Sequence, residues 1–509
     1  MSKKNSLLVN NDLPSLLSLA SSLSARSFSH LNVDSINDLP SSVSSSTEEV
    51  THTREIERLR TETAETIIDP TDSPLTQTCV NNENTPQLNF GDETITEDNN
   101  RYSEEFRNKE THIFVLSQSG KPIFSRYGSD SQIAAFIGVM QALVSFVQTN
   151  DDKLRVMVAG NHNFVFMVRE HMILVAVSQS SFVPSQLRNL LNYVYHQILS
   201  ILTFRTISNA FKKQPGLDLR RLLVGTDRYL NGMIDYMERD MGPLLNAVIC
   251  VPMQATLRHA LLNTISQAIK INIKLLITDL VFAILLLDDK LVGVVRRKEH
   301  QPQPMDLHLI LNLIRNSSYF KTQICWLPLC LPKFDPDGFF YAHISYLCSG
   351  LSLVLLTVNP EHFDILQQSQ YKTKELMESN GLFEKLKQIY SVEELLHSFK
   401  LTEVKHFIYK MRNANQIISY SKEISDEKEI LRQYLRFHHL IHITERPAKL
   451  VYQCTESETF FAWQTMNFEL YATLNEVFNK RKVMEIINKL LDAINKQRNR
   501  LFITISPTF

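Results

Sequence analysis

Glycine, cysteine and long apolar runs are all scarce in this chain. Thirteen Gly in 509 residues exclude collagen-like and Gly-rich low-complexity architectures. Six Cys (Cys79, Cys250, Cys325, Cys330, Cys348 and Cys454) form no CxxC pair, which points to a reducing compartment rather than a disulfide framework. The longest apolar run, Leu280 to Leu287, has eight residues, far short of the roughly 20 that span a bilayer. Ser131 to Asn150 is uncharged, but Gln132, Gln141, Ser145, Gln148, Thr149 and Asn150 make it a poor span. Leu13 to Leu23 follows Lys3 and Lys4 as in a signal peptide, yet Asn10, Asn11, Asp12 and Pro14 interrupt its apolar core, which argues against secretion. The expectation is a cytoplasmic protein whose membrane contact is peripheral.

Net charge is also nearly absent, at -1, but only as a sum. Residues 1 to 100 hold six Lys or Arg against sixteen Asp or Glu, and the other 409 hold 47 against 38. Fifteen Ser among the first fifty residues, with Phe28 and Phe90 the only aromatics of the first hundred, cannot bury enough apolar surface to offset ordering entropy. Residues 1–108 are therefore expected to form a disordered acidic tail on a basic body. Opposite charge draws such a tail onto a basic face, from which an anionic surface displaces it.

From Thr111 the pattern changes to short β-rich runs, turn signals and helical periods. Thr111–Ser117 and Ile123–Tyr127 read as strands, a helix follows from Asp130 to about Gln148, and strands Leu154–Ala159, Asn163–Val168 and Met172–Ser178 precede a helix opened by Pro184. A further helix is expected from about Asp218 to Arg239. The order ββαβββα recurs from Leu280 and, with weaker strands, from Val404. The expected fold class is α+β, with three such units after the tail: residues 109–243, 244–390 and 391–509. Each would be a five-stranded sheet with helices on both faces, the layout of longin and roadblock-like domains.

In the first unit's helix, Ile133, Phe136, Ile137, Met140, Leu143, Val144 and Val147 form one apolar stripe, enough to cover a sheet. Ala135, Val139, Ala142 and Phe146 form a second, and no charge falls between Asp130 and Asp151. Either the chain's own other domains bury that second face or a partner protein does, and contiguous apolar surface outside a core favours the partner. The next strand, Leu154–Ala159, falls at a sheet edge in this topology, where an apolar strand invites pairing with another sheet.

Catalytic signatures are missing: there is no phosphate loop, G-x-G-x-x-G, H-E-x-x-H or G-x-S-x-G. His438 and His442 have i, i+4 metal spacing, but the third ligand in register, Glu445, falls past the helix end, which favours a polar helix face. Cys325 and Cys330 read as apolar fillers. Asp335-Pro336-Asp337-Gly338 lacks the later ligands of a calcium loop and reads as a turn. Arg296-Arg297-Lys298 and Lys480-Arg481-Lys482 lack aromatic interleaving, so a solvated face or an anionic membrane contact is favoured over nucleic acid. No cofactor and no metal are expected.

Several blocks carry a resemblance: His112–Gly128 (HIFVLSQSGKPIFSRYG), Tyr195–Leu202 (YHQILSIL), Asp218–Leu223 (DLRRLL), Leu291–Lys298 (LVGVVRRK), Asp306–Leu313 (DLHLILNL) and Leu329–Leu347 (LCLPKFDPDGFFYAHISYL). Together with Ala462-Trp463 and Phe468–Tyr471, they closely resemble the SAND family, the Mon subunit of the Mon/Ccz complex in vacuole fusion, over about residues 110 to 509. The resemblance implies three longin domains, the first pairing with the first longin domain of a Ccz-type subunit. It also implies guanine-nucleotide exchange on the Rab GTPase of late endosomes and vacuoles, without covalent chemistry. The pairing and GTPase platform is expected on Ser131, Gln132, Ala135, Val139, Ala142 and Phe146 of the helix and Leu154, Arg155 and Val156 of the strand. Trp326 reads either as a core or edge aromatic or as an anchor for the early-endosomal Rab that recruits this family. Arg296, Arg297 and Lys298 are the candidates for contact with phosphoinositide-containing membrane. The competing reading is a non-exchanging longin adaptor or tether.

Overall fold

The computed structural model describes residues 109–128, 130–149, 151–159, 162–179, 183–214, 216–271, 279–317, 323–387, 392–422, 427–443, 446–504 and 506–509. The acidic tail expected over residues 1–108 and the metal-spaced Glu445 lie outside them. The first unit comprises β1 (Thr111–Ser117), β2 (Pro122–Ser125), α1 (Asp130–Thr149), β3 (Val156–Ala159), β4 (His162–Val168), β5 (Met172–Gln179), α2 (Pro184–Leu202), α3 (Phe204–Lys213) and α4 (Asp227–Arg239). A two-residue β6 (Val248–Ile249) and α5 (Ala255–Ile271) lead into β7 (Leu280–Leu287), β8 (Lys290–Arg296), α6 (Pro304–Arg315), β9 (Cys325–Leu331), β10 (Asp335–Cys348), β11 (Leu351–Thr357), α7 (Phe363–Ser379) and α8 (Leu382–Leu386). The last part holds α9 (Val392–Ser398), β12 (Val404–Met411), β13 (Gln416–Ser421), α10 (Glu427–His442), β14 (Leu450–Cys454), β15 (Thr459–Gln464), β16 (Phe468–Leu474), α11 (Lys480–Lys496) and α12 (Arg498–Leu501).

All three sheets repeat one strand order. It runs β2-β1-β5-β4-β3, then β8-β7-β11-β10-β9, then β13-β12-β16-β15-β14, with β6 added beside β13. Helices cover both faces of each sheet, which explains why β7 (LVFAILLL) and β11 (LSLVLLT) lack hydrophobic alternation: both of their faces are buried. The helix after the second strand covers one face, α1, α6 or α10, and the helices flanking the unit cover the other. The β7–β8 hairpin turns on Asp288 and Asp289 at φ 44° and 61°, both left-handed as a two-residue type I′ turn requires. Gly350 packs against it so closely that a Cβ there would lie 2.3 Å from the Asp288 carboxylate.

Several sequence expectations need adjustment. β3 begins at Val156 rather than Leu154. The helix expected over Asp218–Arg239 is a 3-10 turn, Leu219–Leu222, and then α4, because Gly225 takes φ 79° between them. Asp335–Gly338 opens β10 instead of forming the turn before it, and the Asp335 carboxylate accepts from the backbone N–H of Asp337 at 3.0 Å. β6, two residues long, is below the reach of any periodicity argument.

A candidate partner surface on the first unit

On α1 the two apolar stripes part company. Ile133, Ile137, Met140 and Val144 are buried against Phe114, Leu116, Phe166, Ile173, Val175 and Val177 of the sheet, and Phe136 packs its ring on Phe114 and Phe164 at centroid distances of 5.4 and 6.0 Å. The outer stripe faces solvent: Val139 is 59% and Phe146 70% exposed, and Ala142 is exposed between them. Ser131, Gln132 and Ala135 belong to the same helix, but their side chains lie outside those described.

The helix is fixed to the sheet by a hydrogen bond as well as by its core stripe. Gln141 Nε2 donates to the Gln118 carbonyl at 2.6 Å, tying the middle of α1 to the β1–β2 turn. That turn needs Gly120, at φ 78°, where a Cβ would come within 3.2 Å of the Gln141 side chain.

β3 is the strand that the sheet leaves at its edge. It pairs with β4 in register Val156↔Val165 to Ala159↔His162, and its other side has no strand partner among the described residues. Successive side chains alternate in direction. Met157 turns inward to the α1-side core, whereas Val156 and Val158 are 38% and 68% exposed. Leu154 is half-buried against the same core, and Arg155 is exposed. The surface of α1 and β3 thus offers apolar side chains and a strand edge with no partner strand among the described residues, a composition suited to adding a partner's sheet and helix.

The equivalent edge of the second unit is occupied: α2 of the first unit packs along β9. Trp326 in β9 is half-buried, stacked on Tyr341 at 5.7 Å and edge-on to Phe363 at 5.8 Å. Arg296 uses its guanidinium internally, donating to the carbonyls of Arg297, Lys298 and His300 at 3.3, 3.1 and 2.7 Å. Arg297 is half-buried and Lys298 exposed in the turn. The rings of His438 and His442 lie tilted to each other at a centroid distance of 4.4 Å, and His442 meets the buried Glu469 carboxylate at 3.1 Å. Burial raises the Glu469 pKa, but the hydrogen bond with His442 and the charge of Lys410 outweigh it and hold it below its ordinary value. No group of three or more His, Cys, Asp or Glu among the described residues is placed to hold a metal, and no described helix is long and apolar enough to cross a membrane.

Sequence reasoning missed the polar joint between the units. The Tyr193 hydroxyl donates to His308 Nδ1 at 2.9 Å, and His308 Nε2 donates to the Ala247 carbonyl at 3.1 Å. The available signal was α6 itself: a helix apolar on nearly every face buries whatever polar residue it carries.

Comparison with known proteins agrees with the repeated topology. Residues 111–233, 278–374 and 403–498 match, in order, the first, second and third longin domains of FUZ, MON1 and HPS1. The chain is 34% identical over 447 residues to Protein SAND of Takifugu rubripes, covering 83% of this chain and 84% of the fish protein. It is 36% identical over 410 residues to vacuolar fusion protein MON1 homolog A of Gallus gallus, covering 78% and 73%. Against MON1 homolog B of Mus musculus it is 35% identical over 437 residues, covering 80% and 77%. With three longin domains in sequence and this identity over most of its length, the chain belongs to the SAND/MON1 family of vesicle-trafficking proteins.

Proposed function

We propose that this chain is one subunit of a heteromeric guanine-nucleotide exchange factor that acts with a Ccz-type longin partner on the late-endosomal or vacuolar Rab GTPase. Such activity would promote endosome maturation and fusion with the vacuole or lysosome. The observation that carries the reading is the solvent-facing apolar stripe of α1, next in the chain to the open β3 edge. Burying a Val or Phe side chain fully contributes roughly 1.5–3 kcal/mol, so Val139, Phe146, Val156 and Val158 supply a useful core for an interface once association costs are met. Exchange requires no covalent step. A factor that binds the nucleotide-free GTPase more tightly than the nucleotide-bound one shifts the population toward release. In this reading the protein works in the cytoplasm at endosomal and vacuolar membranes, with Trp326 as the anchor for a recruiting early-endosomal Rab and Lys298 at the phosphoinositide-bearing surface.

The test mixes the full chain, a Ccz-type partner and a panel of Rabs loaded with labelled GDP. Accelerated release from one late-endosomal Rab, only with both subunits present, supports exchange. Unchanged release across the panel would favour a non-exchanging adaptor or tether.

A further inference from the structure

The first unit carries a second feature, which shares only Leu154 and Arg155 with the partner surface. A groove of about 450 Å³ opens where the α1–β3 connection, the end of β4 and the first turns of α2 meet. Lys153, Arg155, Arg169 and Arg188 line it, and no Asp or Glu does. All four cations are exposed, and among the described residues none is paired with a carboxylate. Of the acids adjacent in sequence, Asp152 accepts from the backbone N–H of Lys153 at 2.7 Å, and Glu170 lies 3.7 Å from His171.

Two further features have the same sign. α2 begins at Pro184 with no side-chain cap and no acidic residue in its first turn, so nothing in that turn offsets its positive end. The Ser185 hydroxyl, in that first turn and on the groove wall, is buried without a hydrogen-bond partner. Four like charges around one concavity repel one another, and a cleft focuses their field on whatever enters it.

We propose that this groove binds a small ligand carrying clustered phosphates. Each phosphomonoester brings a charge of about -1.5 to -2, so two match the four cations, whereas singly charged carboxylates would need four in the same space. Three of the four cations are Arg, whose planar fork suits phosphate oxygens. The volume also lies within the roughly 300–1,000 Å³ usual for small-molecule sites. The chemistry is shared by a soluble inositol polyphosphate and a phosphoinositide headgroup, and the site stands whether or not the chain takes part in nucleotide exchange.

Calorimetry on the full chain, with inositol hexakisphosphate as the probe and inorganic phosphate as the weak reference, tests this directly. We expect saturable binding at one site. Lys153→Glu combined with Arg188→Glu should weaken it about tenfold or more, and Arg188→Gln alone should weaken it less. Lys212→Glu with Lys213→Glu, the same charge change placed on α3, should leave affinity within about twofold. Equal thermal unfolding of all variants separates lost binding from lost folding. Competition by phosphatidylcholine vesicles carrying a phosphoinositide, but not by charge-matched phosphatidylserine vesicles, assigns the site to a lipid headgroup, and no competition by either assigns it to the soluble form. Unsaturable binding, or equal loss in the groove and α3 variants, would overturn the proposal, as would a preference for an acidic peptide over the polyphosphate.

Discussion

Single residues set the pH range in which this fold holds. His308 is buried, and burial pushes its imidazole pKa down to about 3; burial likewise lowers His196, His343 and His406 to about 4 and His438 to about 3. An unfolded chain protonates these rings below about pH 6.5 while the folded one does not. Their contribution is therefore present above pH 6.5 and lost as pH falls from there toward 4, by up to about 1.4 kcal/mol per ring per pH unit. Asp306 opposes them. Burial raises its carboxyl to about 6, so its contribution is largest below pH 4 and fades as pH rises through 6. Asp240 and Glu427, whose carboxyls burial also raises, act in the same sense as Asp306. With five rings against three carboxyls, we predict that the urea midpoint drops between pH 6.5 and 5.5, and a flat or rising midpoint would contradict this. Asp306→Asn should steepen that acid loss, because it removes the opposing contribution. Tyr193→Phe leaves His308 Nδ1 without its donor and should cost about 1–3 kcal/mol at neutral pH, read by the same titration.

At the scale of elements, α1 is where the sequence was most informative. Its two stripes are visible from spacing alone, and the structure assigns them opposite fates: Met140 buried in the inner stripe, Phe146 exposed in the outer. Met140→Ala should therefore cost about 2–5 kcal/mol, whereas Val139→Asp in the outer stripe should shift folding stability by no more than about 0.5 kcal/mol. Comparable losses in denaturant titrations would mean that the stripes are wrongly assigned. The order of elements along the chain was also legible, because turn signals and apolar runs are local, and the edge position of β3 followed from the longin layout that this order matches. The short helix α3 was not: it starts directly after Thr203, which adopts φ 60°, a conformation no residue-type rule anticipates for a β-branched side chain. The basic groove was missed because its residues come from three separate segments and only Leu154 and Arg155 had been singled out, for the neighbouring strand.

Across the whole molecule, the second and third units are joined by segments that sequence patterns do not flag. β6 runs parallel to β13, and two residues later Val251 N donates to the Leu291 carbonyl of β8 at 2.9 Å. The end of the chain closes the same seam. Ile503 and the Gln416 side chain exchange two hydrogen bonds at 2.8 and 3.0 Å, and Arg296 N donates to the Pro507 carbonyl at 3.3 Å. Buried Arg258 holds the carbonyls of Val251 and Phe502 at 2.6 and 2.9 Å. These contacts link residues some 250 positions apart in places, so no local signal encodes them. Removing residues 502–509 takes Phe502 from the third unit's core and Ile503 from the second's, and we predict that both units then unfold at a lower temperature. Normal melting of the shortened chain would show the seam to be dispensable.

Also at this scale, Trp326→Ala should leave exchange in solution intact while lowering exchange recruited to membranes by the upstream Rab, and equal loss in both would sink that role. The most direct measurement concerns the α1–β3 surface itself. Phe146→Asp with Val158→Asp places two charges on exposed apolar positions of consecutive elements, without touching the core. Mixed with the Ccz-type partner and analysed by size-exclusion chromatography with light scattering, the wild-type chain should elute as a heterodimer and the double variant as separate, folded subunits. Co-elution of the variant with the partner at wild-type strength would contradict the assignment of this surface.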